Sequence, residues 1–261
     1  MWISTGSGWG RSNPVFFIKL LQMETFYTAG YYLIKLRSQT LAWLKGQKVS
    51  TCSGCINLLA FDFWCFGWGS EPNAETIKEL ELSEDRIKSI SSWTNDHVRR
   101  KEIIWGNVFP TLELATEFQS EFYPGRQDIG IYCLEFSETD RRSLNTDFAP
   151  GNQSAYNYNN GKICLRDYLL AGNKEIENDQ FEFLGFDLIG VEGDGGFHSF
   201  HCHGIYHILG SQFGLKMNDH GLFDQIPDPE SLRNYLNEPD TPVEDVPWYI
   251  VKVKRMSNES P

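Results

Sequence analysis

Four histidines, His198, His201, His203 and His207, fall within ten residues in the segment GDGGFHSFHCHGIYH, and His220 follows downstream. Neutral imidazole is the commonest protein ligand for zinc and related metals, so this density points to a metal centre. Read as a helix over residues 197 to 209, the segment places His203 and His207 on one face at i and i+4. His198 and His201 then share the opposite face with Ile205, Ile208 and Leu209, as core histidines hydrogen-bonded to backbone or a carboxylate. A zinc site built here needs a third ligand from outside the helix, His220 or an acid. The glutamate of a His-Glu-x-x-His motif is absent, so no general base comes with the pair. Structural or surface histidines are the competing reading.

Two acids sit singly inside apolar runs, Asp62 in LLAFDFWCF and Asp187 in FLGFDLIGV. Counting by twos along a strand, Asp187 shares a face with Phe183, Ile189 and Val191, where it loses water. Desolvation raises a carboxyl pKa, and two such acids could do general acid and base work, as in glycoside hydrolysis. The structural alternative is a buried acid paired with an Arg, a Lys or a histidine such as His201.

Glu113, Glu117 and Glu121 recur at i, i+4 and i+8, a stripe of like charges costing about 0.2 to 0.5 kcal/mol per pair in an isolated helix. A basic partner would relieve that repulsion. Residues 211 to 245 add eight Asp or Glu against Lys216 and Arg233. Both stretches are candidate surfaces for a basic protein, and a solvated helix face is the plain alternative. The chain carries no Gly-x-Ser-x-Gly elbow, no kinase signatures and no papain-like cysteine context. Trp64, Trp68, Trp93 and Trp105 suit either sugar stacking, as in a carbohydrate-binding module, or a core. Gly193, Gly195 and Gly196 lack the spacing of a phosphate loop and sit beside Glu192 and Asp194, so they read as a tight turn.

The whole chain of 261 residues has a formal net charge of −12. Residues 1 to 50 carry a local balance of +5, which leaves −17 for the rest. Such a body repels phosphate backbones and anionic membranes and attracts cations. With 41% apolar and 14% aromatic residues the chain can build a large core, which excludes wholesale disorder. Lys19, Gln22, Glu24 and Lys35 interrupt the apolar stretch from residue 14 to 36, so neither a spanning helix nor a secretory signal is expected. Met23 offers an alternative start, with residues 1 to 22 as a poorly ordered extension. Six cysteines without an export signal read as reduced thiols of a cytoplasmic protein, and Cys52 and Cys55 lack a second Cys-x-x-Cys to complete a zinc site.

The elements that must position these residues follow from periodicity. Strands are expected at 26 to 36, 56 to 66, 129 to 136, 181 to 191 and 247 to 255. Helices are expected from Asn73 with a break near Ser83, from Pro110 to about Tyr123, at 163 to 171, at 197 to 209 and from Pro229. Residues 145 to 161 read as a long loop and the one candidate break in a single domain spanning 23 to 261. No internal repeat is visible in the sequence. Together these predict an α+β domain with a mixed or antiparallel sheet flanked by helices.

The segment GGFHSFHCHG followed by FGLKMNDHGLFD resembles small uncharacterised bacterial proteins of the toxin-immunity type, over residues 181 to 255. The resemblance implies a soluble, non-enzymatic binding module that neutralises a basic toxin, and it carries over no functional residue. The rival expectation is a metal-dependent hydrolase combining the 198 to 207 histidines with Asp187.

Overall fold

Runs rich in aromatic and β-branched residues form the strands, and polar runs with side-chain caps form the helices. The computed structural model describes residues 24–35, 63–64, 77–78, 80–105, 108–149, 161–172, 180–193 and 197–257. Asp62, the Cys52 and Cys55 pair, Trp68, Asn73 and residues 1 to 22 lie outside them. In chain order the strands are β1 (Phe26–Lys35), β2 (Phe63–Trp64), β3 (Ile129–Ser137), β4 (Phe181–Val191), β5 (Phe197–Ser199) and β6 (Trp248–Met256). The α-helices are α1 (Glu84–Arg99), α2 (Leu112–Phe122), α3 (Glu138–Asp147), α4 (Leu165–Leu170), α5 (Tyr206–Phe213) and α6 (Pro229–Leu236). The strands form one sheet in the order β2-β1-β3-β6-β4-β5, and each neighbouring pair is antiparallel. The fold is α+β, a single antiparallel sheet flanked by helices. Among the described residues no helix is long and apolar enough to cross a membrane.

Three local readings change. Residues 197 to 209 are not one helix: β5 is followed by a 3-10 turn over Phe200–His203, and α5 starts only at Tyr206. Phe197 and Phe200 drop into the core, and Gly204, at φ +65°, separates turn from helix. Pro110 is not the first residue of α2, because Thr111 caps that helix by accepting the Leu114 N–H. Residues 145 to 147 are helical, the end of α3, whose cap is Ser137, the last residue of β3. The expected break at Ser83 is present, and its hydroxyl caps α1.

Both faces of the sheet are covered. On one, Tyr32, Tyr132, Phe136, Tyr249 and Val251 pack with Leu144 and Phe148 at α3 and with Leu165 and Leu169 of α4. The other face holds two separate clusters, one joining β1 and β3 to α1 and α2, the other joining β4 and β6 to α5 and α6.

Those two clusters belong to two halves that repeat one plan. β1, α1, α2 and β3 recur as β4, α5, α6 and β6, and the halves meet at the β3·β6 pairing. β1 (FYTAGYYLIK) and β4 (FEFLGFDLIGV) each bulge just before a glycine of positive φ, Gly30 at +131° and Gly185 at +144°. At each bulge a passing phenylalanine closes a reciprocal backbone bridge, Phe109 with Tyr31 and Phe223 with Phe186. A Cβ on Gly30 would lie 2.5 Å from the Phe109 carbonyl oxygen, and one on Gly185 would lie 2.7 Å from Leu222 Cβ. At the junction of the halves Glu135 receives a hydrogen bond of 3.0 Å from Lys254 Nζ, with Lys252 Nζ at 3.6 Å. Away from Phe, Gly, Leu and Ile of the two strands, equivalent positions keep burial rather than residue type: Tyr32, for example, corresponds to Asp187, and both are fully buried.

Candidate functional site: an acidic cleft

α3 leaves the end of β3 with Asp140, Ser143 and Asp147 along one face, at i, i+3 and i+7. α6 presents Glu230, Arg233 and Asn234 opposite them, with Asn237 capping its end, and residues 238 to 247 run across the top before β6 begins. Between these elements lies a cleft of about 1170 Å³ floored by Trp248 and Tyr249. Among the described residues its lining holds seven carboxylates, those of Asp140, Asp147, Glu230, Glu238, Asp240, Glu244 and Asp245, and a single basic side chain, Arg233.

Arg233 does not offset the other acids, because it is engaged at one end of the cleft. Its Nε and Nη2 donate to the two oxygens of Asp140 at 2.7 and 2.6 Å, and Asp140 is 1% exposed. The Ser137 hydroxyl completes this knot by donating to Asp140 Oδ2 at 2.8 Å. At the other end Asp147 is half-buried, and the Tyr249 hydroxyl donates to its Oδ2 at 2.7 Å. Burial holds the Asp147 carboxyl above the ordinary range, against the opposing effect of that hydrogen bond. Burial and the neighbouring carboxylate push the Tyr249 hydroxyl far up, so it stays a neutral donor.

The wall of the cleft is pinned by backbone. Asn237 accepts the Trp248 N–H through Oδ1 and donates to the Trp248 carbonyl through Nδ2. The Glu244 carbonyl accepts the indole N–H of Trp248 at 3.0 Å. The Glu244 side chain reaches the histidine cluster, pairing with His203 Nε2 and lying 3.6 Å from His198 Nδ1. His198 pairs in turn with Glu192 through Nε2. Burial lowers the His203 pKa, Glu244 works against this, and His198 adds to it.

The sequence candidates are thereby placed. His203 serves Glu244, while His207 is exposed on α5 and His220 lies in a turn, its N–H donating to Asn218 Oδ1. Among the described residues no three His, Cys, Asp or Glu side chains are grouped to hold a metal ion. His201 is buried beside the Tyr206 hydroxyl, 2.8 Å from Nδ1, and burial lowers its pKa to about 3. Asp187 is fully buried, but among the described residues neither His201 nor any other base pairs with it. Its Oδ1 accepts the Leu188 N–H, and among the described residues its Oδ2 has no partner. It does not line the cleft. Trp105 is buried and Trp93 stacks on His97 at 3.4 Å, so both rings serve the core. Glu113, Glu117 and Glu121 are all exposed along α2, away from the cleft.

Sequence reading found the α6 side and top of the cleft, as the acidic stretch 211 to 245, and missed the α3 side. The signal for the missing part was present in Ser137 three residues before Asp140, a helix cap followed by acids in the first turn. No family model matches the chain, and no curated protein or solved structure matches it either.

Proposed function

We propose that this is a soluble, non-enzymatic module that binds a basic protein through the acidic cleft between α3, α6 and residues 238 to 247. The observation carrying this reading is the imbalance in the lining, seven carboxylates against one arginine already bound to Asp140. A concave surface with low-dielectric walls of one charge sign concentrates its field on an oppositely charged partner and speeds the encounter. A basic toxin is the partner that the resemblance over residues 181 to 255 implies. The exposed stripe of Glu113, Glu117 and Glu121 supplies a second negative surface on the same molecule.

The test is association with a basic protein across a salt series. Binding should weaken steeply between about 50 and 200 mM salt, as expected of contacts that lose their attraction on screening. Charge reversal at Glu238, Asp240 and Asp245 should weaken it further and flatten the salt dependence. Association that is independent of salt, or unchanged by the reversal, would remove the reading. A parallel reversal at Glu113, Glu117 and Glu121 decides whether the α2 stripe takes part.

A further inference from the structure

Four side chains from four places in the fold stand in one row: Glu192 just past β4, His198 on β5, Glu244 in the segment before β6, and His203 in the 3-10 turn. Acid and imidazole alternate along it. His198 has a carboxylate at each ring nitrogen, Glu192 at Nε2 and Glu244 at Nδ1. Glu244 has an imidazole at each oxygen, His198 at Oε1 and His203 at Oε2. An ionised carboxylate only accepts, so each of these three contacts needs an N–H from a ring. A neutral imidazole carries one N–H, and two neutral rings therefore supply two donors for three contacts. The open contact is visible in the geometry. His198 meets Glu192 and His203 meets Glu244, whereas His198 Nδ1 stops 3.6 Å from Glu244 Oε1, beyond hydrogen-bond reach.

We propose that this row is a proton-operated latch, in which one proton taken up by His198 makes its Nδ1 a donor, closes the link to Glu244 and fixes residues 243 to 246 against β5. Burial disfavours charge on His203, so the added proton belongs on His198, the ring with a carboxylate at both nitrogens. Among the described residues the ionisable groups that meet the two rings are Glu192 and Glu244. From β6 the Trp248 ring meets His203 edge-on at 5.5 Å, and from β4 the Gly190 backbone lies opposite His198. Motion is confined to Glu244 and its flanks, because Asn237 pins the Trp248 backbone and the Glu244 carbonyl holds the Trp248 indole. Glu244 lines the cleft, so closing the latch offsets the charge of one of its carboxylates. The latch does not rest on the cleft's binding role, since it operates in the free chain.

The test is an NMR titration of the full chain from about pH 8 to 5, the interval in which histidines exchange their proton, following the His198 ring and the backbone amides of residues 243 to 246. In the parent both sets should shift together with one midpoint. His198→Gln cannot take up the proton, so there the amides should no longer shift. Glu192→Gln should act in the opposite sense. Its amide can donate to His198 Nε2, which leaves the single N–H of the neutral ring on Nδ1 for Glu244. The link is then closed without an added proton, and the amides should hold near the parent's acid positions throughout. A merely structural role for Glu192 would not produce that locked state. Amides that stay still in the parent while the His198 ring titrates would overturn the latch. So would amides that shift in His198→Gln as they do in the parent, or that still shift or rest at the alkaline positions in Glu192→Gln.

Discussion

Arg233 of α6 and Asp140 of α3, 93 residues apart, form a two-pronged ion pair that ties the two helices walling the cleft. The carboxylate is 1% exposed, so its charge depends on the guanidinium for stabilisation. Removing one member of a buried pair costs about 3 to 5 kcal/mol, because the other is left charged without water. Arg233→Met should therefore destabilise the protein by that amount in urea titration. Adding Asp140→Asn to it should restore most of the loss. If both variants are equally unstable, the helix contact rests on packing instead.

The two bulge glycines should be equivalent. Gly30 and Gly185 both have a φ that L side chains rarely adopt, and both meet a neighbour within 2.7 Å of a built Cβ. Gly30→Ala and Gly185→Ala should each cost about 2 kcal/mol or more, from backbone strain and the displaced bridge of Phe109 or Phe223. Gly125 also has positive φ, +73°, but nothing lies within 4 Å, so Gly125→Ala should cost only about 1 kcal/mol. Midpoints of chemical denaturation for the three variants check the ranking. A Gly125→Ala cost equal to the others would show that the close approach contributes nothing.

The bounds of β4 and the start of α6 were legible in the sequence because apolar runs and caps there agree with tertiary packing. The segment 197 to 209 was not, since its apolar residues serve three short elements with different periods. Phe197 and Phe200 belong to an edge strand and a 3-10 turn, and of the residues on the true α-helix only Leu209 is fully buried. The same break undid the reading of His203 and His207 as an i, i+4 pair. Half the cleft was hidden for another reason. Asp140 and Asp147 carry no apolar periodicity, and their importance lies in what α6 and β6 bring against them from about 100 residues away.

His203 should titrate below an ordinary histidine, and Glu244 should be what keeps the depression small. Burial lowers its pKa and His198 lowers it further, while the Glu244 carboxylate stabilises the charged ring. Glu244→Gln should therefore shift the His203 midpoint to still lower pH, readable from the imidazole proton resonances. A midpoint that rises, or stays in place, would mean that Glu244 does not reach the ring in solution.

Asp187 should make stability fall as the pH rises. Burial raises its carboxyl pKa well above the ordinary value of about 4, and the Leu188 N–H offsets this only in part. The folded chain therefore keeps a proton that the unfolded chain releases. Below the ordinary carboxylate range both states are protonated and the residue adds no pH dependence. Above it, folding is disfavoured by up to about 1.4 kcal/mol per pH unit until the folded-state value is passed. Asp187→Asn cannot lose a proton, and its Oδ1 can still accept the Leu188 N–H. Its stability should thus gain on that of the parent as the pH is raised from 4.5 to 7.5, measured by urea denaturation of both proteins at each pH. Parallel profiles would mean that Asp187 finds a counter-charge or water in solution, and with it the ionised form.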